Sequence, residues 1–184
     1  MSKQFSLEFR HFGIFVVDVV AMKKFYTGVL GYFVTDEGDF PNGQRLVFMS
    51  REPSEHHQVI LVSGRPDTQG FNLVNQLSFY VDSLEELQSF YQLIVELEVE
   101  DIQPVTHGNA WSVYFRDPEG NRIEVYTHTP WYVNQPLRQQ IDFNREPAAI
   151  EQETEALCRD LPGFCSRQTW LDSMQSLMNT GTKQ

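Results

Sequence analysis

The chain is poor in cysteine, and this shortage excludes one class of protein. Its 184 residues include only 2 cysteines, Cys158 and Cys165, which rules out a disulfide-rich secreted scaffold. The two lie close together in the sequence, so their spacing allows a local disulfide or two free thiols. Free thiols are the expected state in a reducing compartment.

Positive charge is scarce as well. The 14 Lys and Arg residues stand against 25 Asp and Glu residues, which gives a formal net charge of −11. Binding to the phosphates of nucleic acid requires clustered cations, and the sequence has no basic stripe. We therefore expect no nucleic-acid partner. Small neutral or aromatic ligands suit this composition better than anionic ones.

Long apolar runs are also missing. No stretch approaches the length needed to cross a bilayer, and the first ten residues, MSKQFSLEFR, lack the apolar segment of a signal peptide. We therefore expect no membrane association and a cytoplasmic location. With 41% hydrophobic and 13% aromatic side chains, the chain has the material for one sizeable core.

The most informative feature is an internal duplication at a spacing of 65 residues. Residues 8–61 match residues 73–126 without a gap, so that Val81, for example, falls on Val16. A repeated supersecondary unit sets the architecture of a fold. The duplication therefore predicts two similar modules that pair and enclose a shared cavity.

Each copy reads as one strand, one helix and three further strands. In the first copy, Asp18 is placed to N-cap a helix whose apolar face is Met22, Phe25 and Val29, and which Gly31 ends.

In the second copy, Ser83 replaces Asp18 and forms a capping box with Glu86. Two different capping residues at equivalent positions support the 65-residue spacing. The apolar face of this second helix consists of Leu84, Leu87, Phe90 and Ile94.

Strand propensity predicts the remaining elements. The predicted strands are 9–17, 32–35, 46–50 and 57–62 in the first copy, and 99–104, 111–115 and 122–126 in the second. Tight turns are expected at 41–43 and 117–121, and residues 64–72 form the linker between copies.

The residues beyond Thr127 leave the repeat. The segment 130–136 is predicted to be extended and aromatic, and 148–180 to form two helices broken at 161–163. An apolar stripe at helical spacing should pack on the body of the protein or on a second subunit. Its members are Trp170, Met174, Leu177 and Met178.

This doubled arrangement resembles the vicinal oxygen chelate superfamily, which includes glyoxalases, extradiol dioxygenases and bleomycin-binding proteins. The most specific signature, FRDPEGNRIEVY at 115–126, is similar to the closing hairpin of these domains. The resemblance implies an α+β fold with two tandem βαβββ modules, about 8–63 and 73–128, that form a cup-shaped curved sheet. The chain would then consist of a domain over 1–130 and a C-terminal helical tail over 131–184.

In that superfamily, metal ligands come from the first and last strands of each module. The spacing of 65 selects His11 and Gln76 on the first strands, and Val59 and Glu124 on the last strands. Valine cannot bind a metal, so the resemblance is to the three-ligand layout of extradiol dioxygenases, with His11, Gln76 and Glu124 as ligands. Such a triad suits Fe(II), or Mn(II), and leaves positions open for a diol and for oxygen.

Gln76 departs from the dioxygenase pattern, in which a second histidine stands at this position. An amide oxygen is a neutral and weaker ligand than imidazole. Some glyoxalases of the superfamily do use glutamine, so the sequence leaves open whether the site holds a metal or is a metal-free cup in which Gln76 forms a hydrogen bond.

The resemblance also implies three residues that handle protons or substrate. The family places an acid–base histidine in a His-His pair on the last strand of the first module, which is here His56-His57. Strand alternation puts His57 on the face of position 59 and hence in the cup. His107 and Tyr114 match a second histidine and a tyrosine near the open site.

Structural alternatives stay open for two of these positions. His107 could cap a turn ahead of Gly108. Arg122 shares a face with Glu124 and could pair with it, which would block the site.

The leading functional prediction is a metal-dependent extradiol-type dioxygenase, or a close relative, acting on a catechol-like aromatic. The alternatives are a non-catalytic protein that sequesters a small aromatic ligand and a glyoxalase-like lyase or isomerase. A homodimer is expected, because modules of this superfamily often pair across one. The sequence does not decide whether the modules pair within or between chains.

Overall fold

The structure, a computed structural model, describes residues 8–66 and 72–180. The chain divides into two compact units, Met1–Leu73 with Asp117–Gly120, and Val74–Arg116 with Asn121–Gln184. Each unit is a helix on a mixed sheet, so the predicted α+β class is confirmed. Residues 67–71, in the predicted linker, lie outside the described part of the chain.

The first unit contains one helix and a four-stranded sheet. Its elements are β1 (Phe12–Val16), α1 (Val19–Gly28), β2 (Phe33–Asp39), β3 (Arg45–Ser50) and β4 (Val59–Ser63). The strand order is β1-β4-β3-β2, with β1 parallel to β4 and the other pairs antiparallel. Val59 and Leu61 of β4 are fully buried, as are Met22 and Tyr26 of α1, so this face of the sheet packs under the helix.

The second unit repeats this plan and adds the tail. Its elements are β5 (Leu77–Tyr80), α2 (Leu84–Glu96), β6 (Gln103–Thr106), β7 (Ala110–Arg116), β8 (Arg122–His128), β9 (Trp131–Tyr132), β10 (Gln139–Gln140), α3 (Pro147–Cys158), β11 (Cys165–Ser166) and α4 (Arg167–Thr180). The order of the main sheet is β10-β6-β7-β8-β5. The tail therefore extends this sheet by one short strand, β10, that the sequence did not predict.

Both predicted N-caps are confirmed, whereas the capping box differs in its second half, because the Glu86 carboxylate accepts from the N–H group of Asp82 at 3.0 Å. The Asp18 carboxylate accepts hydrogen bonds from two backbone N–H groups at 2.9 and 3.0 Å, and the Ser83 hydroxyl accepts one from Glu86 at 3.1 Å. Helix α1 ends at Gly28, earlier than predicted, and Gly31 lies in the following loop with φ of 69°.

The strand ladders correct the 65-residue spacing by one residue. In the first unit Phe12 pairs with Val59, whereas in the second Leu77, the counterpart of Phe12, pairs with Ile123. Val59 is therefore equivalent to Ile123. The residue that matches Glu124 is Ile60, which is no more able to bind a metal than valine.

The cause lies in the β3–β4 hairpin. Met49 pairs with Val59 across it, with residues 50–58 between them, whereas Phe115 and Ile123 enclose only residues 116–122. The first hairpin is thus two residues longer, one in each arm. A gap-free alignment does not detect such a change, because the register of two paired strands is set by their hydrogen bonds and not by their sequence spacing.

Several strand ends also differ from prediction. Strand β4 begins at Val59 and not at residue 57, so His57 precedes the strand and the alternation argument for its direction is wrong. Strand β6 begins at Gln103 and not at residue 99. Glu98 and Asp101 adopt positive φ values of 53° and 57°, a left-handed conformation that an extended strand cannot include.

The tail forms two helices, as predicted, and both cysteines are free. The predicted packing of the apolar stripe holds only at its start. The Trp170 ring stacks on Tyr132 with centroids 5.1 Å apart, whereas Leu177 and Met178 are 40% and 67% exposed. Among the described residues, no helix has both the length and the apolar character to span a membrane.

The turn Asp117–Gly120 belongs to the first unit through Glu119. The Glu119 carboxylate accepts hydrogen bonds from the N–H groups of Val17 at 2.7 Å and Asp18 at 2.8 Å, and it pairs with Arg65 at 3.3 Å. Only 9% of the Glu119 side chain is exposed. Few water molecules could therefore replace its carboxylate as the acceptor for these donors.

We expect Glu119→Ala to lower the free energy of unfolding by about 3 kcal/mol, because it removes the acceptor of two backbone donors and the carboxylate that pairs with Arg65. Glu119→Gln retains one acceptor oxygen and should lose roughly half as much. Urea unfolding followed by circular dichroism measures both. Exposed Glu151 provides the control, since Glu151→Ala should change stability by less than about 0.5 kcal/mol. Equal losses at positions 119 and 151 would contradict this assignment.

Candidate functional site

Glu124 is a buried carboxylate on the face of the second sheet that points away from α2. The neighbouring residue Ile123 pairs with Phe115. The Phe115 ring packs on Phe90 of α2, with ring centroids 5.7 Å apart. Successive residues of a strand point to opposite faces, so Glu124 projects from the other side. Its exposure is 7%.

Two donors satisfy one oxygen of this carboxylate. Glu124 Oε2 accepts hydrogen bonds from Gln76 Nε2 at 2.8 Å and from Ser78 Oγ at 2.5 Å. Ser78 is the ladder partner of Glu124, and Gln76 lies two residues before it on the same face. Sequence reasoning missed Ser78, although its alternation with Gln76 was a signal that could have identified it.

His107 and Tyr114 join the same cluster. His107 Nδ1 lies 2.7 Å from the carbonyl oxygen of Leu137 and must donate to it, since a carbonyl only accepts. In the neutral ring, Nε2 then accepts a hydrogen bond from the Tyr114 hydroxyl, 2.9 Å away. The same Nε2 lies 4.0 Å from Glu124 Oε1. We call Gln76, Ser78, His107, Tyr114 and Glu124 the Glu124 cluster.

Electrostatics keep Tyr114 protonated. Burial and then the negative charge of the neighbouring Glu124 raise the pKa of the Tyr114 phenol well above its usual range, against a smaller opposing effect of Arg122. The Arg122 guanidinium lies over the Tyr114 ring, 4.1 Å from its centroid. Within the described chain no ion pair joins Arg122 to Glu124, so the alternative in which Arg122 blocks the carboxylate is wrong.

The first unit holds a second group of predicted residues. The His57 ring meets His11 edge-on with centroids 4.5 Å apart and lies 5.3 Å from the Phe48 ring. His56 Nδ1 and His57 Nδ1 share a hydrogen bond at 2.9 Å. Phe48 pairs with Ile60 and was not predicted. We call His11, Phe48, His56 and His57 the histidine cluster.

The structure thus distributes the six predicted site residues over two clusters. The first unit holds His11 and His57, and the second unit holds Gln76, His107, Tyr114 and Glu124. Each predicted residue contacts another predicted residue of its own unit.

The second unit also permits a test of the expected metal. The described residues contain no group of three His, Cys, Asp or Glu side chains that could hold an ion. Glu124 and Gln76 nevertheless lie side by side, and carboxylate and amide oxygens are the ligands that hard divalent cations prefer. Rotation of the Gln76 amide would turn its oxygen in place of its nitrogen toward an ion at Glu124. These two residues fit part of a metal ligand set.

A family model described as the glyoxalase/bleomycin resistance protein/dioxygenase superfamily matches residues 8–125. The chain belongs to this superfamily. Among curated relatives from the superfamily's dioxygenases, biphenyl-2,3-diol 1,2-dioxygenase 2 of Rhodococcus globerulus is 29% identical over 109 residues, which cover 57% of this chain and 54% of that protein. The match therefore spans about half of the relative's length.

Solved structures of the superfamily share the fold. A glyoxylase/bleomycin resistance protein/dioxygenase domain from Frankia has a TM-score of 0.55 and 16% identity, and the match covers 68% of this chain and 99% of that one. The trypanothione-dependent glyoxalase I of Leishmania major has a TM-score of 0.54 and 22% identity, with 66% and 87% covered. The tail beyond residue 125 lies outside the family match.

His57 is held in its neutral form. Burial and then the neighbouring His11 and His56 lower the pKa of His57, and Glu55 opposes them. Because the unfolded chain binds a proton on this residue more readily, His57 contributes a loss of stability as pH falls below about 6.5.

We expect an NMR titration of the His57 ring to give a midpoint below about 6.5, the value of a free histidine. His11→Asn removes one positive neighbour and should raise that midpoint toward 6.5. His56→Asn should raise it less, since the effect of His11 is the larger. An unchanged midpoint in His11→Asn would show that the two rings do not interact.

Proposed function

We propose that this chain is a metal-dependent, extradiol-type dioxygenase that opens the ring of a catechol-like small molecule. The supporting observation is the Glu124 cluster, in which a carboxylate that is 7% exposed lies among an amide, a hydroxyl, a phenol and an imidazole. Burial of a charge is costly unless it is paired or bound to a metal. The similarity to a biphenyl-diol dioxygenase supports the reaction class.

Three residues would hold the metal in this proposal. Gln76 and Glu124 lie together in the second unit, and His11 joins them by resemblance to the three-ligand enzymes of the superfamily. A bound Fe(II) or Mn(II) would supply the chemistry that activates a diol and oxygen. The apolar side chain of Ile60, which matches Glu124 in the first unit, argues against a four-ligand glyoxalase-type site.

Tyr114 and His107 would position the substrate and transfer protons. The raised pKa of Tyr114 keeps its hydroxyl available as a donor at neutral pH. The hydrogen bond from His107 Nδ1 to Leu137 fixes the ring. When the Tyr114 hydroxyl turns from Nε2 to donate to the substrate, Nε2 can accept a proton from a substrate hydroxyl. His57, with its lowered pKa, is also neutral at pH 7 and able to act as a base.

A non-catalytic ligand-binding protein is the second candidate. Gln76 donates its amide to Glu124 and, together with Ser78, satisfies Oε2 without a cation. A cluster that is complete in this way could hold a flat aromatic diol by hydrogen bonds alone.

The test is oxygen uptake and formation of a coloured ring-opened product from catechol and 2,3-dihydroxybiphenyl after anaerobic loading with Fe(II). We expect one bound metal per chain and turnover that falls at least about 100-fold in Glu124→Ala, because the variant loses a metal ligand. Gln76→His should tighten the binding of iron, because imidazole is a stronger ligand than an amide oxygen. Exposed Glu151 serves again as the control, and Glu151→Ala should keep both metal and activity.

Saturable binding of either diol without bound metal or oxygen uptake would contradict the dioxygenase and support the binding protein. Elemental analysis of each variant separates the two independently of turnover. Failure of the diols to bind at all would contradict both candidates.

A further inference from the structure

The second unit contains a cavity that is separate from the Glu124 cluster. It has a volume of about 250 Å³ and is lined by Asn109, His128, Trp131, Tyr132, Arg167 and Trp170. His128 lies four residues beyond Glu124 on the same face of β8, roughly 13 Å along the strand. All of the lining residues except Asn109 lie beyond residue 125, where the family match ends. We call this the tail cavity.

Aromatic rings form most of its wall. The rings of Tyr132 and Trp170 stack with centroids 5.1 Å apart and planes inclined by 14°. Trp131 is 6% exposed and is held edge-on by Trp111 at 6.0 Å. Rigid rings of this kind present flat apolar surfaces, which favour stacking of another aromatic ring.

Arg167 brings a positive charge to this aromatic wall. In the part of the chain that the structure describes, no carboxylate lies within ion-pair distance of Arg167, although acidic residues outnumber basic ones by 25 to 14. Two other arginines of the tail do pair with acids, Arg145 with Glu153 and Arg159 with Glu155. Arg167 is half-buried, and its positive charge is available to pair with a bound anion.

The position of Arg167 in α4 makes this charge more unusual. It is the first residue of the helix, where the unpaired N–H groups already give the equivalent of about half a positive charge. A cation is unfavourable there, whereas an anion is stabilised. The backbone supports this end of the helix independently, since Arg167 N donates to Pro130 and Ser166 caps Thr169 N. The guanidinium is therefore not needed to begin the helix.

His128 completes the polar side of the cavity. Its ring lies 5.4 Å from Tyr80 and 5.5 Å from Tyr126, so aromatic rings surround it. Burial and then the positive charge of Arg167 lower the pKa of His128, which leaves the imidazole neutral at pH 7. Arg167 is thus the single full charge that lines the cavity.

We propose that the tail cavity is a binding site for a small aromatic carboxylate, whose ring stacks on the aromatic wall and whose carboxylate pairs with Arg167. Asn109 and neutral His128 are placed to donate further hydrogen bonds to such a group. A phosphate ester fits less well, since a doubly charged group would meet only one cation. This site does not depend on the proposed dioxygenase activity.

Benzoate is a suitable probe, and the intrinsic fluorescence of Trp131 and Trp170 offers a readout inside the cavity. We expect saturable binding of benzoate to the full chain and at least tenfold weaker binding of benzyl alcohol, which keeps the ring and lacks the charge. Arg167→Gln should weaken benzoate at least tenfold and leave benzyl alcohol unchanged. Trp170→Ala should weaken both ligands, because it removes stacking and not charge.

Two controls locate the site. Arg159→Gln removes the same charge from the exposed end of α3 and should bind benzoate as the natural chain does. Glu124→Gln should also bind benzoate unchanged, which distinguishes the tail cavity from the Glu124 cluster. Equal benzoate affinity of Arg167→Gln and the natural chain, or the absence of saturable binding, would overturn the proposal. Circular dichroism of each variant confirms that it is folded.

Discussion

The hydrogen bonds that Glu124 accepts from Gln76 and Ser78 are the interaction on which the second sheet depends. Glu124 stands between Ile123 and Val125, which are 0% and 3% exposed on the face under α2. A slip of one residue would turn the carboxylate into that apolar core and the core residues outward. Ser78 lies directly across from Glu124 in the ladder, so the same contact that satisfies the charge also fixes the register.

The first unit carries no such constraint, and its register differs by one residue. Ile60 takes the place of Glu124, and its partner Phe48 takes the place of Tyr114. An apolar residue tolerates either arrangement of the hairpin, because no charge has to be kept out of the core. The two copies have therefore diverged into unlike surfaces. One offers imidazoles around an aromatic ring, and the other offers a carboxylate and a phenol.

The features that the sequence predicted correctly depend on local chemistry. Asp18 and Ser83 were identified as caps because a cap needs only the residues of its own turn. Glu124 was selected through the resemblance to the superfamily, and its role as a metal ligand stays a prediction. The register of β4 was not accessible, since two extra hairpin residues leave a gap-free alignment intact. The direction of the Gln76 amide was not accessible either, because it is set by Glu124, which lies 48 residues away.

The tail cavity was missed for a related reason. Its residues come from separated segments of the chain, at Asn109, at the end of β8, at β9 and at the start of α4. The periodicity of α4 predicted an apolar stripe, and the structure shows that only its first members are covered. A stripe reports which residues share a face of a helix. It carries no information about what that face meets.

The Glu124 cluster and the tail cavity differ in charge, and this difference can give them different ligand preferences. A neutral aromatic diol meets no repulsion at Glu124, whereas a carboxylate would face the negative charge of Glu124 there and the positive charge of Arg167 in the tail cavity. Tyr126 lies between Glu124 and His128 on the same face of β8, and both Glu124 and Arg167 affect its pKa. Burial and then Glu124 raise the pKa of Tyr126, and Arg167 opposes them. In a chain with a net charge of −11, an arginine without an acidic partner within ion-pair distance creates a local preference for anions in the tail cavity, because it is the single full charge among the lining residues.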